Sequence, residues 1–243
     1  MKNLAVIPAR YDSSRMPGKP IADICGKPMI WWVYNKCIES KKFDDVIVAT
    51  DDERILEKCS AYSMKAMMTS PLHDSPTSRL YEVSTKIDSY IYYLIMGDEP
   101  LVCADCFDLI IPKEEIGEYY VAALTNIISN PADVIDFSNQ KVVTDRHRNA
   151  LFISRSPIPY PKGLLDISYE KVTGVQAFSK KALAFYSSTQ KSKLEKAEEN
   201  DLMRFIENGI KVKMTVSEYK TISVDTPKDL ELVREIIKGD RNG

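Results

Sequence analysis

Apolar positions along the chain follow two alternating rhythms. Runs of strand length are each followed by stretches with helical spacing, an order that predicts a largely parallel sheet with helices on its faces. The first run, Leu4-Ala5-Val6-Ile7-Pro8, predicts a buried strand over 4–8, followed by a helix over 28–40. A strand over 46–50 and a helix over 52–62, opened by acidic residues that suit a helix N-terminus, repeat the pattern. Residues 65–68 predict a short third strand, 69–76 a polar loop, 77–87 a helix, and 91–96 an apolar strand that ends at Gly97-Asp98-Glu99-Pro100.

The middle of the chain reads differently. Strand-like segments at 141–144 and 151–153 flank a charged turn at 145–149, which predicts a hairpin leaving the main sheet. Beyond the rigid Pro157-Ile158-Pro159-Tyr160-Pro161 come a strand over 173–178, helices over 180–187 and 194–208, and a strand over 211–216. A last helix over 227–237 has Thr226 as its cap and Pro227 at its first position. No internal repeat or low-complexity tract interrupts this order, so 1–243 is expected to be one domain with an excursion over 141–160.

Composition narrows the possible partners. With 44% hydrophobic and 28% charged residues, 243 residues can bury a full core. A formal net charge of −2 leaves no broad cationic surface for nucleic acid, so a small anionic ligand in a local basic pocket fits better. No window approaches the roughly 20 apolar residues that span a bilayer. The start, Met1-Lys2-Asn3-Leu4, lacks the apolar centre of a signal peptide, so no membrane partner and a cytoplasmic location are expected. Five cysteines, an odd number, suggest reduced thiols, with Cys37 and Cys59 in the core. Cys103 and Cys106 have C-x-x-C spacing, but no second pair or neighbouring histidine completes a zinc set.

Ligands of open α/β sheets gather beyond the carboxyl ends of the strands. Three candidate segments lie there: 9–19, Thr50-Asp51-Asp52, and 97–100. The first, with Arg10, Arg15, Lys19, two serines and Gly18, has the makings of a triphosphate cradle, because fixed cations and exposed amides offset phosphate charge. Its single glycine separates it from a Walker A loop and from a dinucleotide fingerprint. Asp98, after a strand, and Asp225, before a late helix, could converge on one magnesium ion, which takes only one or two carboxylates from a protein. Either aspartate alone is equally a turn or cap residue. With only His73 and His147 in the chain, a histidine triad has little material.

Several separated motifs, in order, resemble the CMP-KDO synthetases, the 3-deoxy-manno-octulosonate cytidylyltransferases. They are Ile7-Pro8-Ala9-Arg10-Tyr11, Ser14-Arg15-Met16-Pro17-Gly18-Lys19-Pro20, Gly26-Lys27-Pro28-Met29-Ile30, Val48-Ala49-Thr50-Asp51 and Gly97-Asp98-Glu99-Pro100. The likeness continues through His73-x-Ser75-x-Thr77-x-Arg79-Leu80, Ser154-Arg155 and Val224-Asp225-Thr226-Pro227-x-Asp229-Leu230, and so runs nearly end to end.

The resemblance implies a fold of the nucleotide-diphosphosugar-transferase type, with a mixed, mostly parallel sheet flanked by helices and a β excursion for dimerisation. It implies a homodimer and magnesium-dependent transfer of CMP from CTP to a hydroxyl of an acidic sugar, with release of pyrophosphate. Arg10, Arg15 and Lys19 would hold the triphosphate, Pro8, Ala9 and the His73, Ser75 and Thr77 segment would face the cytidine, and Asp98 and Asp225 would hold Mg2+. Arg79 and Arg155 are candidates for gripping the acceptor carboxylate, since a guanidinium matches a planar anion. Glu195 and Glu198 match acidic positions of the family's sugar-binding helix, and would otherwise be a solvated helix face.

Departures from the family pattern fall on the acceptor side. Met96 stands where the family has glutamine, Val172 aligns with a histidine, and Pro76 and Ser78 replace the glycine and glutamate of a Ser-Gly-Thr-Glu-Arg motif. Replacing polar pocket groups with apolar ones changes selectivity more than transfer chemistry, so the expected acceptor is KDO or a related 2-keto-3-deoxy sugar acid, and the departures point away from KDO itself toward an amino-substituted or other acid of that class. The alternatives are a nucleotidyltransferase for another small anionic acceptor and a nucleotide-binding protein that has lost acceptor activity.

Overall fold

The computed structural model describes residues 2–13, 16–163 and 166–241. Strand β1 (Asn3–Ala9) leads through a two-stranded ribbon, β2 (Asp23–Ile24) and β3 (Lys27–Pro28), into helix α1 (Met29–Ser40). Then come β4 (Asp45–Thr50), α2 (Glu53–Ala61), β5 (Ala66–Met68), α3 (Pro76–Lys86) and β6 (Ile91–Ile95). The second half holds β7 (Val121–Ile127), α4 (Pro131–Ile135), β8 (Lys141–Thr144), β9 (Ala150–Ser154), β10 (Glu170–Ser179), α5 (Lys180–Ser188), α6 (Lys193–Glu198), α7 (Leu202–Glu207), β11 (Val212–Val216) and α8 (Pro227–Arg241).

The main path of the sheet runs β11-β7-β10-β6-β1-β4-β5. β1 pairs in parallel with β4 and β6, β4 with β5, and β11 with β7, while β10 runs antiparallel between β6 and β7. This is the mixed, mostly parallel sheet flanked by helices that the sequence predicts. Strands buried on both faces need continuous apolar runs, and β1 supplies one. Its alternate side chains enter different cores: Leu4 and Val6 pack with Tyr92 and Leu94, whereas Ala5 and Ile7 pack with Tyr93 and Ile95. Helices α2 and α3 start at side-chain caps, Asp52 accepting from the Arg54 amide and Ser75 from the Ser78 amide. At α8, the Thr226 hydroxyl accepts from the Asp229 amide at 3.3 Å while the Asp229 carboxylate accepts from the Thr226 amide at 2.7 Å, a reciprocal cap.

One strand was not expected, and two expectations change. The central strand β7, fully buried until its last residue, has the alanine-rich sequence VAALTNI, whose strand propensity is low and whose place is fixed by neighbours on both sides. The single helix expected over 194–208 is two short helices, because Glu199 takes a left-handed conformation (φ 47°) and Asn200 Oδ1 then accepts from the Leu202 amide. The hairpin of β8 and β9 stays on the sheet, since β8 pairs with β10 at Glu170 and Lys171. Buried Lys141 ties down its base, donating to the carbonyls of Asp136, Asn139 and Arg155. No helix among the described residues is long and apolar enough to cross a membrane.

Candidate active site

The direction of chain travel reverses at β1. The chain moves outward through β4 and β5, and α3 then carries it back so that β6 lies on the other side of β1. Such a reversal opens a crevice at the carboxyl ends of the two central strands. A cavity of about 230 Å³ lies there, walled by Pro8, Ala9 and Arg10 after β1 and by Met96, Gly97 and Asp98 after β6. His73, Asp74, Ser75, Pro76 and Arg79 form a third wall, and Lys19 and Asp225 close the fourth.

Lys19, Asp98 and Asp225 meet although they come from three distant parts of the chain. The Lys19 Nζ lies 2.6 Å from Asp98 Oδ2 and 3.5 Å from Asp225 Oδ1, and donates to the Val224 carbonyl at 3.0 Å. The Val224 amide in turn donates to the Asp98 carbonyl at 2.8 Å, so the approach to α8 is sewn to the loop after β6. Local geometry brings the lysine to this point: Gly18 sits at φ +71°, and an added Cβ there would come within 3.2 Å of the Tyr11 ring. Tyr11 is itself covered by the Arg54 guanidinium, 3.3 Å from its ring centroid, and Arg54 is held by both oxygens of Asp52. Arg15 lies outside the described residues.

Arg79 and His73 sit on the third wall, and both are engaged. Arg79 is 3% exposed, donating to Asp51 Oδ2 at 2.6 Å and to Thr69 Oγ1. His73 Nε2 lies 2.5 Å from Glu82 Oε2, and its Nδ1 lies 3.1 Å from Ser78 Oγ. Burial raises the Glu82 carboxyl, but Lys86, the Ser70 amide and His73 outweigh it and bring the carboxyl down to about 2. The Ser75 hydroxyl meets that of Tyr186 at 3.0 Å, and the Thr77 amide donates to Asp201.

The expected acceptor residues other than Arg79 are not among the residues lining the cavity. Glu195 forms a two-point pair with Arg204, at 2.7 and 2.5 Å, and both are buried. Glu198 accepts from the Ser154 hydroxyl and the Arg155 amide, and the Arg155 guanidinium donates to the carbonyls of Glu198 and Phe137. These three side chains fasten the α6 region to the hairpin and to α7. Helical periodicity hid this, because the break at Glu199 redirects the two glutamates.

Sequence reasoning also passed over Asp74, and over Glu99 as more than part of a motif. Glu99 is buried beneath the Asp98 loop; its Oε1 accepts from the Gly174 amide at 2.8 Å, while Oε2 makes no well-formed hydrogen bond among the described residues and interacts only loosely with the Thr221 hydroxyl. Burial first, and the charge of Asp98 second, push its carboxyl up to about 7. The available signal was an apolar run ending in two consecutive acids, only one of which can face a ligand.

The cytidylyltransferase family profile matches residues 4–216. The 3-deoxy-manno-octulosonate cytidylyltransferase of Escherichia coli is 39% identical over 237 residues, covering 97% of this chain and 96% of that one. The chain belongs to this family. The enzyme of the same name from Fusobacterium nucleatum is 38% identical, with 98% of each chain covered. A solved CMP:2-keto-3-deoxy-manno-octonic acid synthetase complexed with CTP superposes with a TM-score of 0.92 at 38% identity, over 99% of this chain and 100% of that one. The 4-diphosphocytidyl-2C-methyl-D-erythritol synthase of Anaerococcus prevotii, with a TM-score of 0.63 at 16% identity over 98% of this chain and 99% of its own, shares the fold. The chain is thus a CTP-dependent nucleotidyltransferase of the cytidylyltransferase family, and its Arg10, Lys19, Asp98 and Asp225 line one cavity.

Proposed function

We propose that the chain transfers CMP from CTP to a hydroxyl of KDO, releasing pyrophosphate. The observation that carries this reading is the convergence of Lys19, Asp98 and Asp225 in the cavity at the ends of β1 and β6. In the reaction the sugar hydroxyl oxygen bonds to the α-phosphorus and gives up its proton to solvent water, the bond from that phosphorus to the bridging β-phosphate oxygen breaks, and pyrophosphate leaves with that oxygen. Arg10 and Lys19 hold the triphosphate and stabilise charge on the leaving group, with Arg15 assigned to the same task. Pro8, Ala9, His73, Ser75 and Thr77 shape the cytidine site. Arg79, buried and engaged by Asp51 and Thr69, braces this same wall rather than gripping an acceptor carboxylate, and Met96 contributes an apolar surface on the acceptor side.

Asp98 and Asp225 would hold Mg2+. Their fit is supported by Lys19, whose ammonium already bridges the two carboxylates, so they converge on a single cation position. Two carboxylates suffice for magnesium when phosphate and water supply the other ligands. The ion would neutralise phosphate charge and polarise the reacting phosphorus. The protein's own part is alignment of the hydroxyl and the α-phosphorus in a walled site.

A homodimer belongs to the same reading. Ile135 (75% exposed), Phe137 (72%), Leu151 (58%) and Tyr160 (85%) give the 135–160 region an apolar outer surface suited to a second copy, including much of the 141–160 excursion. Light scattering at micromolar concentration should return twice the 27.6 kDa chain mass; the single mass would remove this assignment. A cytoplasmic location is supported by five free thiols.

Pyrophosphate release from CTP across a panel of 2-keto-3-deoxy sugar acids tests the function, and activity with none of them would overturn it. Asp98→Ala and Asp225→Ala should each abolish turnover while the fold persists. Lys19→Ala should raise KM for CTP, and unchanged CTP kinetics would remove its assigned role.

A further inference from the structure

Residues 73–75 of the cavity wall belong to the connecting segment between β5 and α3, and such segments move unless something ties them down. Beside the local bonds of His73 to Glu82 and Ser78 and of Ser75 to the Ser78 amide, three ties come from one distant region. Tyr186 Oη meets Ser75 Oγ at 3.0 Å across 111 residues of sequence. Lys191 pairs with Asp74 at 2.7 Å, and Asp201 accepts the Thr77 amide at 3.2 Å. Tyr186 is the only fully buried side chain of these three, at 1% exposure, and it does not line the cavity.

Tyr186 is held on every side that could let it shift. The Arg204 guanidinium lies 3.7 Å from its ring centroid, and the ring of Phe205 stacks at 5.8 Å. Arg204 also donates to the Tyr186 carbonyl at 2.6 Å and to the Thr189 carbonyl at 3.0 Å, and Glu195 fixes the remaining guanidinium edge at two points. A buried ion pair adds little net stability over apolar packing but fixes one geometry. The fixed element here is a tyrosine hydroxyl aimed at a cavity wall.

Ser75 shows why one hydroxyl matters. Its oxygen accepts from the Ser78 amide at 3.1 Å and caps α3, the helix that presents Arg79. A serine hydroxyl has one proton and two lone pairs, so the Tyr186 contact adds a second partner to the Ser78 amide and fixes the rotamer. We propose that Tyr186, set in place by Arg204 and Glu195, is a positioning residue for the nucleotide pocket, acting through Ser75. This rests on the assignment of the cavity to CTP and assigns Glu195 a role remote from the acceptor.

The test uses the full chain and CTP as the probe, by calorimetric titration without acceptor and by steady-state kinetics with KDO. Tyr186→Phe keeps the ring and the Arg204 stack while deleting the hydroxyl. It should weaken CTP binding and raise KM for CTP by about fivefold, the scale of one neutral hydrogen bond, and leave KM for KDO unchanged. Ser75→Ala combined with Tyr186→Phe should do no more than the stronger single change, because both remove the same bond. Unaltered CTP affinity in Tyr186→Phe, or effects that multiply in the double variant, would overturn the proposal. Should Tyr186→Phe fail to fold, Glu195→Gln keeps the shape of the clamp while weakening its hold on Arg204 and hence on Tyr186, and should weaken CTP binding about twofold or more; no change would overturn the proposal. Wild-type protein that binds no CTP overturns the functional assignment and this role together, whereas wild-type binding with unaltered variants overturns this role alone.

Discussion

Replacing Glu99 by glutamine should reveal the cost of a buried carboxylate beside the reactive loop. The glutamine carbonyl can keep the Gly174 amide bond, and its amide can donate to the Thr221 hydroxyl, which interacts with the carboxyl in the wild type. The folded carboxyl titrates near 7 against an ordinary value of 4.5, chiefly through burial. Because the folded value is the higher one, the contribution of this group to stability is whole below 4.5 and is lost as pH rises through about 7. The wild-type loss is about 1 kcal/mol at pH 5 and about 3 kcal/mol at pH 8. Glutamine does not titrate, so the stability of the variant relative to wild type should improve by about 2 kcal/mol between those pH values. In a chain of this size that widens the gap in Tm by about 4 to 8 °C. Urea unfolding of both proteins at pH 5, 6, 7 and 8 measures the gap directly, and titrations shared by the two proteins cancel. A gap that stays constant across this range would show that Glu99 is not a carboxyl titrating near neutrality.

Two further substitutions probe the frame of the site. Gly174→Ala would place a methyl 2.6 Å from Met96 Cβ and 2.8 Å from Glu99 Oε1; it should cost about 1–3 kcal/mol in urea unfolding and lower kcat by shifting the loop that carries Asp98, and wild-type values for both would refute the packing argument. Arg79→Ala leaves Asp51 and Thr69 without their buried partner, so a loss of about 3 kcal/mol in the same assay is expected, and a loss under about 1 kcal/mol would show the pair to be dispensable.

Much of this was legible in the sequence, for identifiable reasons. The runs at Leu4, Val46 and Ile91 are strands buried on both faces, so their continuous apolar character survives without knowledge of their neighbours. The basic turn and the two aspartates were marked by residue type at strand and helix ends, where ligands of open sheets lie. Strand β7 was hidden because alanine carries little strand preference, and only the flanking strands β10 and β11 make Ala122 and Ala123 a core. Glu195 was misassigned for a different reason. Its partner Arg204 is nine residues away, across a backbone turn that no hydrophobic pattern announces, and charge spacing on an assumed continuous helix points outward to solvent. Pairing between distant segments is the information that local periodicity lacks.

The bond between the Val224 amide and the Asp98 carbonyl bears on how the protein comes into being. During synthesis the basic turn leaves the ribosome more than 200 residues ahead of Asp225. Until that last aspartate emerges, Lys19 has only one of its two carboxylate partners and the cavity lacks a wall. Nascent chains therefore hold no finished cavity, and a message truncated just before Asp225 would yield a polypeptide with every strand of its sheet but without the acid that closes the cavity.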